Sequence, residues 1–133
     1  MLDFVIRNGT VVTPTGVGKW DVGIRGEKIV AVALPGYLDS DSVRAVNASG
    51  KVVVPGGVEP HIHAASNVQP GIEDALPGIP HAGPREHSLG AIWGGTTTVI
   101  DFAPVPNEGD LAAGIHSYLK PWKDNAYTDY SAH

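Results

Sequence analysis

Through residue 33 the chain sets apolar against polar positions with a period of two. "LDFVIR" (2–7) leads to Asn8-Gly9, then to "TVVT" (10–13) and a Pro/Gly turn at 14–18. In "WDVGIR", Trp20, Val22 and Ile24 alternate with Asp21, Gly23 and Arg25. Gly26-Glu27 makes a tight connection into "KIVAVA" (28–33). Short strands separated by turn signals at this spacing predict a small sheet or sandwich. Residues 35–50 read as loop, with one short strand around 43–47. "KVVVP" (51–55) opens a new strand that is expected to run on through residue 55.

Beyond residue 55 the period changes. "GIEDALPGIPHAGP" (71–84) is rich in Pro and Gly and reads as a long irregular loop. "REHSLGAIW" (85–93) predicts a short helix ending at Gly94-Gly95. "TTTVIDFA" (96–103) is β-branched and nearly continuous, the pattern of a strand buried on both faces. Asn107 is a candidate cap for a helix over 108–119, with Glu108 and Asp110 in its first turn. "AYTDYSA" (126–132) predicts a further strand. Strand, loop, helix, strand, helix, strand is a βαβ order, which implies an α/β fold with a parallel sheet. The composition shift near residue 55 divides the chain into a β segment, 1–55, and an α/β segment, 56–133.

Charge sharpens that division. Residues 1–55 hold six Lys/Arg and five Asp/Glu, and residues 56–133 hold three and nine, so balances of +1 and −6 sum to the net −5. No basic patch is available for nucleic acid. No run of about 18 apolar residues is present to span a membrane. The first residues, "MLDFVIRNGT", carry Asp3 and Arg7 and do not read as a signal peptide. With no Cys among the 133 residues, thiolate metal sites and disulfides are excluded. That fits a reducing compartment, and the expectation is cytoplasmic.

The chemistry gathers at "VVVPGGVEPHIHAAS" (52–66), where His61 and His63 end an apolar run. In a strand, residues i and i+2 share a face about 6.5–7 Å apart. Two imidazoles at that spacing can lean towards one zinc ion, each nitrogen about 2.0–2.1 Å from it, while Ile62 faces into packing. The same spacing also fits two ordinary polar residues at a strand end. Position favours metal, because α/β sites gather at the carboxyl ends of parallel strands. A hydrolytic zinc usually has three protein ligands and an open position. His81 lies in the long loop. His87 and His116 fall on predicted helices and read as surface or packing residues. His133 would point to the same rim as the pair. Asp101, in a buried strand, needs a partner; it reads as a structural hydrogen-bonding group or as support for the site.

"VVVPGGVEPHIH" together with "GGTTTVIDFAP" resembles the amidohydrolase superfamily, and within it the dihydropyrimidinase and hydantoinase branch of cyclic amide hydrolases. "FVIRNGTVVTP…DVGIRGEKIVAVA" is similar to that family's opening β segment, and "TDYSAH" to its second barrel strand. The likeness covers nearly the whole chain; 64–85 is the stretch that follows it least.

The resemblance implies the start of a (β/α)₈ barrel, incomplete here, preceded by a small β-sandwich segment at 1–55. It implies that His61 and His63 bind one of two divalent metals, commonly zinc. The family's other ligands are a carboxylated Lys, two further His and an Asp, and none has a counterpart in this chain. In the family, a hydroxide bridging the metals attacks the ring amide carbon, and the Asp acts as general base. That Asp is expected beyond His133, so no catalytic residue is assigned here. The expected partners are the rest of the same enzyme, as a companion chain or a C-terminal part, a small-molecule substrate, and further copies in a homo-oligomer. The loop 64–84 is a candidate for substrate specificity.

Two departures stand out. Where the family usually has Asp two residues before the first His, this chain has Glu59, which strict alternation places on the face of His61 and His63 as a support for the site. The second is length. A full barrel needs about 250 residues, and an open piece of parallel sheet exposes apolar edges and faces, so the chain is not expected to fold stably alone. Two other functions stay open on the residues: a non-catalytic homologue serving assembly or signalling, and a hydrolase of other amide, carbamate or urea bonds.

Overall fold

The computed structural model describes residues 1–38, 44–64, 82–103 and 109–133. The chain forms two compact units, Met1–Pro55 and Gly56–His133.

In the first unit, β1 (Phe4–Thr13) and β2 (Gly16–Arg25) form an antiparallel hairpin, and β3 (Lys28–Ala33) adds antiparallel to β2. Chains β4 (Arg44–Asn47) and β5 (Val52–Val53) both run parallel to β1. The result is one mixed five-stranded sheet with β3-β2-β1-β4 as its order and β5 also on β1. Alternation buries Val5, Val11 and Val22, joined by Ala48. Asn8-Gly9, which looks like a turn in sequence, lies inside β1 as an irregularity between Ile6 and Gly9. Asn8 takes a positive φ of 61°, and its amide donates to the buried carboxylate of Asp21 at 2.8 Å. A Cβ on Gly9 would come 2.6 Å from the Val53 side chain, so only glycine lets β5 close against β1 there.

The strand expected to run through residue 55 is broken. Val52–Val53 belongs to the first sheet, and β6 (Gly57–Ile62) begins the second. Proline has no N–H for a ladder, and Gly56 lies against Thr97 so closely that a Cβ would overlap that side chain.

The second unit is a parallel sheet, β6-β7-β8, with β7 (Thr96–Asp101) between β6 and β8 (Asp129–Ala132). "TDYSAH" therefore supplies the third strand of this sheet and not the second, because β7 comes before it in the chain. Helix α1 (Pro84–Trp93) precedes β7, and α2 (Leu111–Leu119) precedes β8. Proline opens α1 at a position where its missing N–H costs nothing, and Glu86 accepts from the Gly83 amide at 3.1 Å. The helix stops at Gly94, followed by Gly95 with φ of +86°. Cap geometry differs from expectation at α2. Asp110, not Asn107, is the N-cap, and its carboxylate accepts from Ala112 N at 2.9 Å; Asn107 lies outside the described residues. The expectation that 96–103 is buried on both faces also needs correction. Val99 and Asp101 are buried, Thr96, Thr98 and Ile100 are partly so, and Thr97 is exposed. One face packs on a core of Ala64, Val99 and Trp122, flanked by Ile62, Ala91, Leu119 and Ala126.

Candidate metal centre

The carboxyl end of the parallel sheet gathers three of the six histidines. His61 lies near the end of β6, and His63 follows it by two residues. Strict alternation does not carry the strand to this point. Between Glu59, opposite Val99, and Ile62, opposite Asp101, β6 holds one residue more than β7. Such a bulge re-aims side chains locally. The two rings still converge, with centroids 5.3 Å apart and planes at 63°. Two imidazoles on one tetrahedral zinc, with Zn–N of about 2.0–2.1 Å, have centroids roughly 5 Å apart. The separation of the pair is therefore that of two imidazoles on a shared ion. Both residues are exposed, while Ile62 between them is partly buried against the core.

Phe102, directly after β7, is the ring around which the histidines assemble. Its centroid is 4.3 Å from that of His61, 5.4 Å from His63 and 4.8 Å from His133. His133 directs its Nε2 to the carbonyl of Pro60 at 2.8 Å. A carbonyl only accepts, so Nε2 carries the proton. His133 thus stands at the rim shared with the pair but spends that nitrogen on the backbone.

Glu59 supports His61 through the main chain. Its carboxylate turns onto its own strand and accepts from the His61 amide at 3.0 Å. It thereby steadies the backbone under His61. His87 and His116 are exposed on α1 and α2, away from β6 in the helical layer. His81 and residues 65–81 of the candidate specificity loop lie outside the described residues. Among the described residues, no group of three or more His, Asp or Glu is arranged to hold a metal ion. The pair needs further ligands to complete a coordination shell.

Sequence reasoning did not find Phe102; it read Asp101 as a buried carboxylate in need of hydrogen-bond partners, without naming them. The Asp101 side chain is fully buried. One oxygen accepts from Ala64 N at 3.1 Å and Phe102 N at 2.9 Å, the other from the Trp122 indole at 3.2 Å. These donors come from segments far apart in sequence, and no local pattern announces them. No described helix is long and apolar enough to cross a membrane.

No family model matches the chain. Individual proteins do. A D-hydantoinase of Streptomyces coelicolor is 34% identical over 133 residues, covering 97% of this chain and 27% of that protein. A dihydropyrimidinase of Arabidopsis thaliana is 34% identical over 131 residues, covering 97% of this chain and 22% of that protein. Among solved structures, D-hydantoinase from Bacillus sp. AR9 superposes with a TM-score of 0.83 at 28% identity, over 98% of this chain and 26% of that one. The chain spans about a quarter of the length of the relatives it matches. Over nearly all of its own length, this chain is similar to part of the D-hydantoinases and dihydropyrimidinases, in line with the resemblance its sequence carries.

Proposed function

We propose that this chain is the N-terminal part of a metal-dependent hydrolase that adds water across the C–N bond of a cyclic amide such as a hydantoin or dihydropyrimidine. The observation that carries the proposal is the convergence of His61 and His63, 5.3 Å apart, at the carboxyl end of a parallel sheet whose chain matches D-hydantoinases throughout. On this reading, residues 56–133 are the first strands and helices of a (β/α)₈ barrel, and residues 1–55 belong to a small β-sandwich.

His61 and His63 would hold one of two divalent ions, zinc by the nitrogen character of the pair. Bound ions supply Lewis acidity towards the amide carbonyl and lower the pKa of water. This chain's own part is to fix two imidazoles. Phe102 backs both rings, Glu59 holds the His61 amide, and Ile62 anchors the strand between them. The remaining ligands and the general-base Asp are supplied by the rest of the enzyme, which is the chain's principal partner. The assembly is a cytoplasmic homo-oligomer acting on a small molecule.

The test uses the complete enzyme. Zinc content is measured beside hydrolysis of hydantoin and dihydrouracil, before and after His61→Ala and His63→Ala. Loss of bound metal together with activity is the expected result. Full metal content and full activity in both variants would reject the proposal.

A further inference from the structure

We propose that Asp101 is a positioning residue for the histidine pair: its buried carboxylate latches the main chain immediately after His63 and so fixes where that imidazole points. The latch is oriented towards the metal reading above, but its geometry stands apart from it.

His63 follows the last residue of β6, where ladder bonds end and a side chain would ordinarily wander. Both peptide groups flanking it are nevertheless tied to the end of β7. On one side, the Ile62 carbonyl accepts from Phe102 N at 3.0 Å. On the other, Ala64 N donates to Asp101 Oδ1 at 3.1 Å. The same Oδ1 also accepts from Phe102 N at 2.9 Å, so the carboxylate holds at once the chain beyond His63 and the residue whose ring backs both imidazoles. Asp101 is itself held from the core, where the indole of the fully buried Trp122 donates to Oδ2 at 3.2 Å. A path of hydrogen bonds therefore runs from Trp122 through Asp101 to the peptide beside His63. At least three N–H donors converge on its two oxygens. A carboxylate, which only accepts, suits that arrangement. An amide does not, because its NH₂ would have to face an N–H. Asn at this position would release at least one donor while keeping the shape of the side chain.

A residue that merely stabilised the fold would lower stability without changing how tightly the folded protein holds an ion. The experiment separates these roles in the complete polypeptide. Zinc affinity is measured by competition with a chromogenic chelator for the wild type, Asp101→Asn and Val5→Ala. Val5 is fully buried in the sheet of the first unit and takes part in none of the latch hydrogen bonds. Asp101→Asn is expected to weaken zinc roughly 10–100-fold, the range for groups that orient ligands, while Val5→Ala lowers the unfolding midpoint and leaves zinc affinity unchanged. A folded Asp101→Asn protein with wild-type zinc affinity overturns the proposal. Amide exchange in the metal-free protein provides the second arm. The Ala64 N–H should be protected in the wild type and exchange faster in Asp101→Asn. If the wild-type Ala64 amide exchanges like an unprotected peptide, the latch is absent and the proposal falls, whether or not the variant folds. If His61→Ala and His63→Ala retain zinc, the metal reading fails instead, and Ala64 exchange with the mobility of the His63 ring decides the positioning role alone.

Discussion

The Nε2 of His133 donates to the carbonyl oxygen of Pro60 at 2.8 Å, although β7 lies between β6, which carries Pro60, and β8, which His133 directly follows. This bond braces the bulged part of β6 from across the sheet. Replacing His133 with Ala should cost about 0.5–1.5 kcal/mol, the usual net worth of one hydrogen bond. His133→Gln, which keeps a donor, should recover part of the loss. Urea unfolding of the complete polypeptide measures both, and equal stability of wild type and His133→Ala would show that the bond contributes nothing.

Phe102 touches three imidazoles with one ring. It is 36% exposed, so Phe102→Ala should destabilise by less than a fully buried Phe, about 1–3 kcal/mol. Loss of the wall also frees His61 and His63 to take other rotamers, and zinc affinity should fall with stability. Phe102→Leu keeps bulk and should lie between. Calorimetry and chelator competition on the three proteins give the order; an Ala variant that binds zinc like the wild type contradicts the role assigned to the ring.

Gly56 is the point where β6 begins beside β7, and a Cβ there would collide with the hydroxyl, methyl and Cβ of Thr97. Threonine is branched at Cβ and cannot swing clear. Gly56→Ala should therefore cost about 1–3 kcal/mol through overpacking. Adding Thr97→Ala removes two of the colliding atoms, so the double variant should be more stable than the sum of the single changes predicts. Strict additivity in a double-mutant cycle would show that the clash relaxes elsewhere.

Much of this architecture was legible because its signals are local. "TTTVID" is β-branched and became β7; "REHSLGAIW", between Pro84 and Gly94-Gly95, became α1. The parallel pairing in the second sheet followed from strand-helix alternation. Signals that depend on distant partners were misread or unseen. Asn8-Gly9 has the composition of a hairpin turn, yet β1 continues through it because β2, β4 and β5 all pair with β1. Glu59 was read as support for the site, and it gives that support through the His61 main chain, a contact that side-chain spacing does not announce. Asp110 rather than Asn107 caps α2, both being good caps separated by less than one helical turn. The spacing of His61 and His63 disclosed that their rings can meet. That Phe102 and Asp101 hold them depends on contacts formed only when β7 docks.

Isolated residues 1–133 should not behave as a stable monomer. Val52, Val54 and Val58 are each at least 60% exposed, and Trp93 is 84% exposed, more bare apolar surface than a small folded domain comfortably presents to water. Sedimentation should find self-association or an expanded chain, and a sharp, concentration-independent thermal transition of a monomer would contradict this.

The parallel pairing of β6 with β7 also sets an order of events during folding. The hairpin of β1 and β2 closes through Pro14 and Thr15 alone, a contact formed on the microsecond scale. Pairing β6 with β7 requires the whole segment from Ile62 to Thr96 to loop back first, at a larger entropic cost. On a growing chain, His61 and His63 leave the ribosome well before Asp101 and Phe102. The two imidazoles are therefore close early but aimed late, and on the proposed metal reading a nascent chain that met an ion before β7 arrived would hold it loosely enough to let it go.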